Sequence, residues 1–268
     1  MMMHLLRIDL KKLLNYRTFW VVCGLYFFTL GMTTATGMEF LKWLVSMGAE
    51  FGAEINISRI PFYHFPDVFH NLVFISGFFK TILAFMVIIS ITNEFSYRTI
   101  RQNIIDGLSR EQFIISKVLT NLLLSGASTI MVFLIALVTG MIYSPEIVLS
   151  DMFTDLEFFV GYFLEVFTYL SFALLLGMYI QRSGLTIVIL VLSPLIEFII
   201  KANVDDYVPW LLPYFPMESM SNLVPMPFPR YVFQEIQDYI SLTSVLLVFC
   251  WAAVFNYLAY RKLKRSDV

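Results

Sequence analysis

Six stretches of this chain carry enough uninterrupted apolar residues to cross a lipid bilayer as helices, and this limits its fold more than any other feature. A helix rises about 1.5 Å per residue and the hydrocarbon layer is about 30 Å thick, so a span needs roughly twenty apolar residues. The stretches run from Phe19 to Thr36, Phe69 to Thr92, Leu119 to Tyr143, Phe158 to Ile180, Leu185 to Ile200 and Ile240 to Tyr260. They are continuous rather than alternating, which does not argue for barrel strands despite their β-branched content. Composition agrees: 59% of the 268 residues are hydrophobic and 14% charged, where a soluble domain has about half and about a quarter. The expected fold is an all-α membrane protein, with residues 1–268 forming a single transmembrane domain of six helices.

Lysine and arginine accumulate on the cytoplasmic side of membrane proteins. Arg7, Lys11, Lys12 and Arg17 precede the first span, and Arg98, Arg101, Arg110 and Lys117 follow the second. Arg182 follows the fourth, and Arg261, Lys262, Lys264 and Arg265 follow the sixth. The opposite side holds only Lys42, Arg59, Lys201 and Arg230, amid carboxylates such as Glu146, Asp151, Asp155 and Glu157. Both termini are therefore expected in the cytoplasm, as an even number of spans requires. A cleavable signal peptide competes for the first forty residues, since Ala35-Thr36-Gly37 imitates a cleavage site, but the basic part is long for one. With a net charge of -2, no overall basic field exists to hold nucleic acid. Cys23 and Cys250 fall inside apolar runs and read as small packing residues.

Outside the spans, residues 1–18 read as an interfacial helix. Met2, Met3, Leu6, Leu10, Leu13 and Leu14 fall on one side of a helical wheel and Arg7, Lys11, Lys12 and Asn15 on the other, while Ile8 and Asp9 fit less well. In residues 93–110, Tyr97, Ile100, Ile104 and Leu108 recur at helical spacing with Arg98, Arg101 and Gln102 pointing elsewhere, predicting a short amphipathic helix. Gly107 can take the left-handed conformation that stops it, and Ser109 with Gln112 forms a capping box for the next helix. Residues 201–239 contain six of the ten prolines yet stay apolar, as in Val208-Pro209-Trp210-Leu211-Leu212-Pro213. Irregular backbone at membrane depth needs protein or water around it, so short helices dipping back from the outer surface are expected, with a simple ordered loop as the alternative. The segment Met38 to Val68 is assigned only a surface role.

Phosphate-loop, dinucleotide, zinc-protease and serine-hydrolase signatures are all missing, so no enzymatic activity and no cofactor is expected on this chain. His64 and His70 near Asp67 are a weak metal signal, and His4 is isolated. Ionisable groups inside spans are functional candidates because a lone charge in lipid is costly. They are Lys80, Glu165 and Glu197. Lys80 and Glu165 lie at depths from which their side chains can meet, as a structural pair, a gating element or part of a proton relay, whereas Glu197 is expected to reach the outer interface.

This arrangement resembles the type-2 permeases of ATP-binding-cassette transporters over essentially the whole chain. Its most specific piece is Glu94-Phe95-Ser96-Tyr97-Arg98-Thr99-Ile100-Arg101, followed by Ser109-Arg110 and Lys117. That looks like the family's glutamate, glycine-threonine-hydrophobic step, serine-arginine and later lysine. Arg98 stands where glycine is usual, and Gly107-Leu108 where proline and a hydrophobic residue are common. The resemblance implies a coupling helix at residues 93–110, and re-entrant outer helices between spans five and six. It also implies that a second permease chain, identical or different, completes the pathway. ATP and Mg would sit on separate ATPase subunits, contacted through Glu94, Tyr97, Arg98, Thr99, Ile100, Arg101, Ile104, Gly107, Leu108, Ser109 and Arg110. The expected role is an exporter subunit in a bacterial inner membrane. The 27 phenylalanines suit a hydrophobic or amphiphilic cargo such as a lipid, peptide or drug, and lipid-facing packing explains them equally well. A self-contained secondary transporter or channel using Lys80 and Glu165 is the alternative, although no internal repeat of the kind common there is evident.

Overall fold

A computed structural model describes residues 9–46, 61–232 and 236–266. Within them all regular structure is helical. Residues 9–14 form α1, and after a break at Asn15 and Tyr16 come α2 (Arg17–Ser46), α3 (Asp67–Gly77), α4 (Lys80–Ser96), α5 (Thr99–Ile105) and α6 (Arg110–Tyr143). Then follow α7 (Glu157–Ile180), α8 (Ser183–Val204), α9 (Pro216–Ser221) and α10 (Leu242–Arg265), with short 3-10 turns at Asp151–Phe153, Pro209–Tyr214 and Phe228–Val232. Among the described residues, four helices are long and apolar enough to cross a membrane: α6, the run Asp151–Ile180 that ends in α7, α8 and α10. The pair α3 and α4 adds a fifth if counted as one span. The expectations for His4 and for residues 1–8, 47–60, 233–235 and 267–268 lie outside the described residues.

The apolar run from Phe69 to Thr92 is not one helix. It is bent by 41° between Gly77 and Lys80. Phe78 and Phe79 donate their N–H groups to Ile75 and Ser76, three residues back, so the helix tightens and turns instead of continuing. The surface helix also stops early, since α1 ends at residue 14 and α2 begins at Arg17. By contrast α6 is a single 34-residue rod, about 51 Å long. It starts where Ser109 accepts the Gln112 N–H at 3.1 Å and Gln112 Oε1 accepts the Ser109 N–H at 2.9 Å.

The core is centred on α7, which packs against α3, α4, α6, α8 and α10. Phe158, Tyr162, Val166, Leu170, Ala173 and Leu174 are all fully buried along it. Gly177 lets α4 approach closely, for a Cβ there would run into Ile91, a use of small residues common where membrane helices cross. Polar ties also hold these helices. Tyr162 meets Ser128 at 2.8 Å and Tyr26 at 2.9 Å, linking α7 to α6 and α2.

Candidate functional site

Where α4 ends and α6 begins, three charged side chains from distant parts of the chain converge. Lys117 Nζ donates to Asp9 Oδ1 at 3.0 Å and to Glu94 Oε1 at 2.5 Å. Ser116 Oγ donates to Asp9 Oδ2 at 2.9 Å. Lys12 lies 4.0 Å from Glu94 Oε2 and donates to Asn103 Oδ1 at 3.4 Å. Asp9, Glu94 and Lys117 are all buried. Two lysines thus face two carboxylates, which satisfies the rule that buried charge must be paired. The misfit of Asp9 on the amphipathic wheel now has a cause: it turns inward to meet Lys117.

Above this cluster sits α5. Ile100 is fully buried, and Ile104 and Leu108 pack against the core. Thr99 Oγ1 donates to the Glu94 carbonyl at 3.3 Å. The opposite face exposes Arg98, Arg101, Gln102 and Ile105. Gly107 has φ of 98° at the corner, the region open to a residue without Cβ.

Three expectations for this segment are corrected. Tyr97 does not join the apolar stripe: it is 71% exposed, because Arg98 takes a left-handed φ of 54° and α5 starts only at Thr99, so Tyr97 lies off the helical register. Glu94 does not present itself to a partner, being consumed by Lys117. Arg110 is not directed outward either, since it donates to the backbone carbonyls of Lys264 at 3.0 Å and Ser266 at 3.3 Å. A cation there meets the unsatisfied carbonyls and negative dipole end of α10. Ser109 is exposed but committed to the capping box.

Deeper in the bundle, Lys80 at the first position of α4 pairs with Glu165 of α7. Its ammonium also lies 5.3 Å from the Tyr169 ring centroid. The pair sits at the bend, with the Glu165 carboxylate beside Gly77. Glu197 points into the protein rather than outward. It is buried and accepts the N–H groups of Met217 at 2.8 Å and Glu218 at 2.7 Å, satisfying orphan donors at the start of α9. Lys201 pairs with Glu218 at 2.5 Å, and Trp251 Nε1 donates to the Tyr214 carbonyl at 3.0 Å, fixing the proline-rich segment to α8 and α10.

At this opposite end, Arg230 joins Asp67 to Asp238. Burial works against its charge, but the two carboxylates outweigh burial and hold the guanidinium above its ordinary range. Tyr231 accepts from Asn71 Nδ2 at 2.6 Å and donates to Asp67 at 3.3 Å. These ties were not expected, because neither Arg230 nor Asp67 has any local signal of its partner. His70 bonds the Pro225 carbonyl at 2.8 Å and stacks on Phe158, and among the described residues no cluster fit to hold a metal ion occurs.

The family described as Protein of unknown function (DUF2705) matches residues 19–268. No curated protein matches the chain.

Proposed function

Because the chain belongs to the DUF2705 family, whose description carries no activity, we propose from its own residues that it is the membrane subunit of an ATP-driven exporter. In this reading α2, the bent pair α3 and α4, α6, α7, α8 and α10 are six spans, with both termini in the cytoplasm of a bacterial cell. Within the outer segment 201–239, the described residues that follow α8, 205–232 and 236–239, fold back into the outer leaflet. Two such chains form a pathway for a hydrophobic or amphiphilic cargo. ATP and Mg belong to separate ATP-binding-cassette subunits, and this chain hydrolyses nothing.

The observation that carries the reading is the construction of α5. An exposed surface of Tyr97 and Arg98 just before α5 and of Arg101, Gln102 and Ile105 on it backs onto an inner side tied to the bundle. Interface anchors are typically aromatic or arginine, and those types stand exposed here. A push on α5 is passed through Glu94 and Lys117 to α4, α6 and α1 together, and α4 is one half of the bent span. That is what a coupling element requires: a docking face that cannot move without moving the spans.

The reversal Arg98→Glu with Arg101→Glu should abolish co-purification of the ATPase and transport-dependent ATP hydrolysis in proteoliposomes, while membrane insertion is unchanged. Wild-type levels of both would refute the coupling role. The secondary-transporter reading is favoured by one observation, the Lys80–Glu165 pair at the bend. It would move ahead if the reversal has no effect and transport by the isolated chain follows an ion gradient.

A further inference from the structure

A groove of about 190 Å³ opens beside the charged cluster, between α1, the start of α2 and the second half of α4. Leu13, Phe19, Met86 and Ile89 line its apolar floor, and Lys12, Tyr16 and Asn93 stand at its mouth. We propose that it holds one acyl chain of an anionic phospholipid taken from the surrounding bilayer, with the phosphate at Lys12. The inference rests on the chain being membrane-embedded and does not need the exporter reading.

Three observations favour this occupant. The first is the polarity gradient: Met86 to Asn93 covers seven residues of α4, about 10 Å, running from apolar depth to a polar rim as an amphiphile does. At ~10–15 Å³ per water-sized group, the volume holds about 13–19 such groups, room for a segment of an acyl chain. The second is the level of the mouth. Tyr16 accepts a hydrogen bond from Asn93 Nδ2 at 2.6 Å, and Trp20 Nε1 donates to the Leu14 carbonyl at 2.8 Å. Tyrosine and tryptophan are enriched at headgroup depth. The third is charge. The nearby carboxylates are buried and paired, Asp9 with Lys117, and Glu94, which lines the groove, with Lys117 and at 4.0 Å with Lys12. The cations Lys11, Lys12, Arg17 and Arg98 remain exposed at lining positions or next to them in sequence. A bilayer phosphate meeting them would form charge-assisted hydrogen bonds. The ammonium of Lys12 lies 4.0 Å from Glu94 Oε2 and donates to Asn103, and its third N–H is left for a phosphate oxygen.

The test uses the full chain, purified from membranes containing phosphatidylglycerol and phosphatidylethanolamine and analysed by native mass spectrometry. The expected result is one tightly retained phospholipid per chain, with phosphatidylglycerol favoured at least fivefold. Lys12→Glu should remove that preference, and Lys12→Arg should keep it. In parallel, phosphatidylglycerol with a photoreactive group in its acyl chain should label wild-type protein at Phe19, Met86 or Ile89, a readout independent of whether the variant folds. No retained lipid, equal retention of the zwitterionic lipid, or labelling confined to the outer faces of α8 and α10 would each overturn the proposal. So would groove labelling that survives Lys12→Glu with its headgroup preference intact.

Discussion

Lys117 shows how much a single residue here depends on partners far along the chain. Its side chain is 9% exposed, and those of Asp9 and Glu94 are 6% and 10% exposed. Removing one partner of a buried ion cluster strands the rest, at a typical cost of about 3–5 kcal/mol. Lys117→Met should therefore destabilise the protein by roughly that amount, since it leaves two carboxylates facing each other. The combined replacement Asp9→Asn, Glu94→Gln and Lys117→Met should cost less than the single change, because no buried charge is left unpaired and Lys12, which loses Glu94, is exposed. Thermal unfolding in detergent, followed by circular dichroism, measures both, and a triple variant less stable than the single one contradicts the pairing. Glu94 and Lys117 were legible as members of a motif, but their use was not. The one sign of Asp9 in the sequence was negative, a carboxylate out of place on an amphipathic wheel. A partner 108 positions away leaves no local trace.

Among the elements, those with local chemistry at their ends were the most readable. The start of α6 was visible in Ser109 and Gln112, and the corner before it in Gly107, because caps and turns act over three or four residues. The break between α3 and α4 was not visible, since apolar residues run straight through Phe78 and Phe79 and hydropathy is blind to backbone direction. What marks it is Lys80. A lysine at the first turn of a helix is disfavoured by the dipole, so its position depends on Glu165 facing it from α7. Lys80→Met and Glu165→Gln are each expected to lower the melting temperature more than the two together. A double-mutant cycle should return a coupling of about 0.5–3 kcal/mol, the range for residues in contact. Additive losses would mean that the bend stands without the pair. The same reasoning explains Glu197: with Met217 and Glu218 donating to it, a carboxylate about four turns into α8 is a cap for α9 rather than a charge seeking water.

At the scale of the whole molecule, the two ends differ in how charge is used. One end carries α1, α5 and the last turn of α10, where Lys262, Lys264 and Arg265 collect. The other carries the acidic stretch Glu146 to Glu157 and the tie of Arg230 to Asp67 and Asp238. Cation asymmetry of this kind sets which end stays in the cytoplasm, and the count was available from sequence because it needs only the order of spans and loops. The outward faces of α8 and α10 remain apolar, with Leu185, Val188, Leu195, Leu246 and Phe249 exposed, as suits contact with lipid or another chain rather than water. The orientation is testable with two single cysteines. Cys23 is buried and Cys250 exposed, so both are replaced first to give a silent background. Ser150 lies exposed just before the turn at Asp151–Phe153. Ser266 follows α10 and uses its backbone carbonyl, not its side chain, to accept from Arg110, so a cysteine there leaves that contact in place. In intact cells a membrane-impermeant maleimide should modify Ser150→Cys and spare Ser266→Cys, which should react only once the membrane is opened. The reverse pattern would place α5 and its arginines outside the cell, away from ATP, and the exporter reading would fall with it.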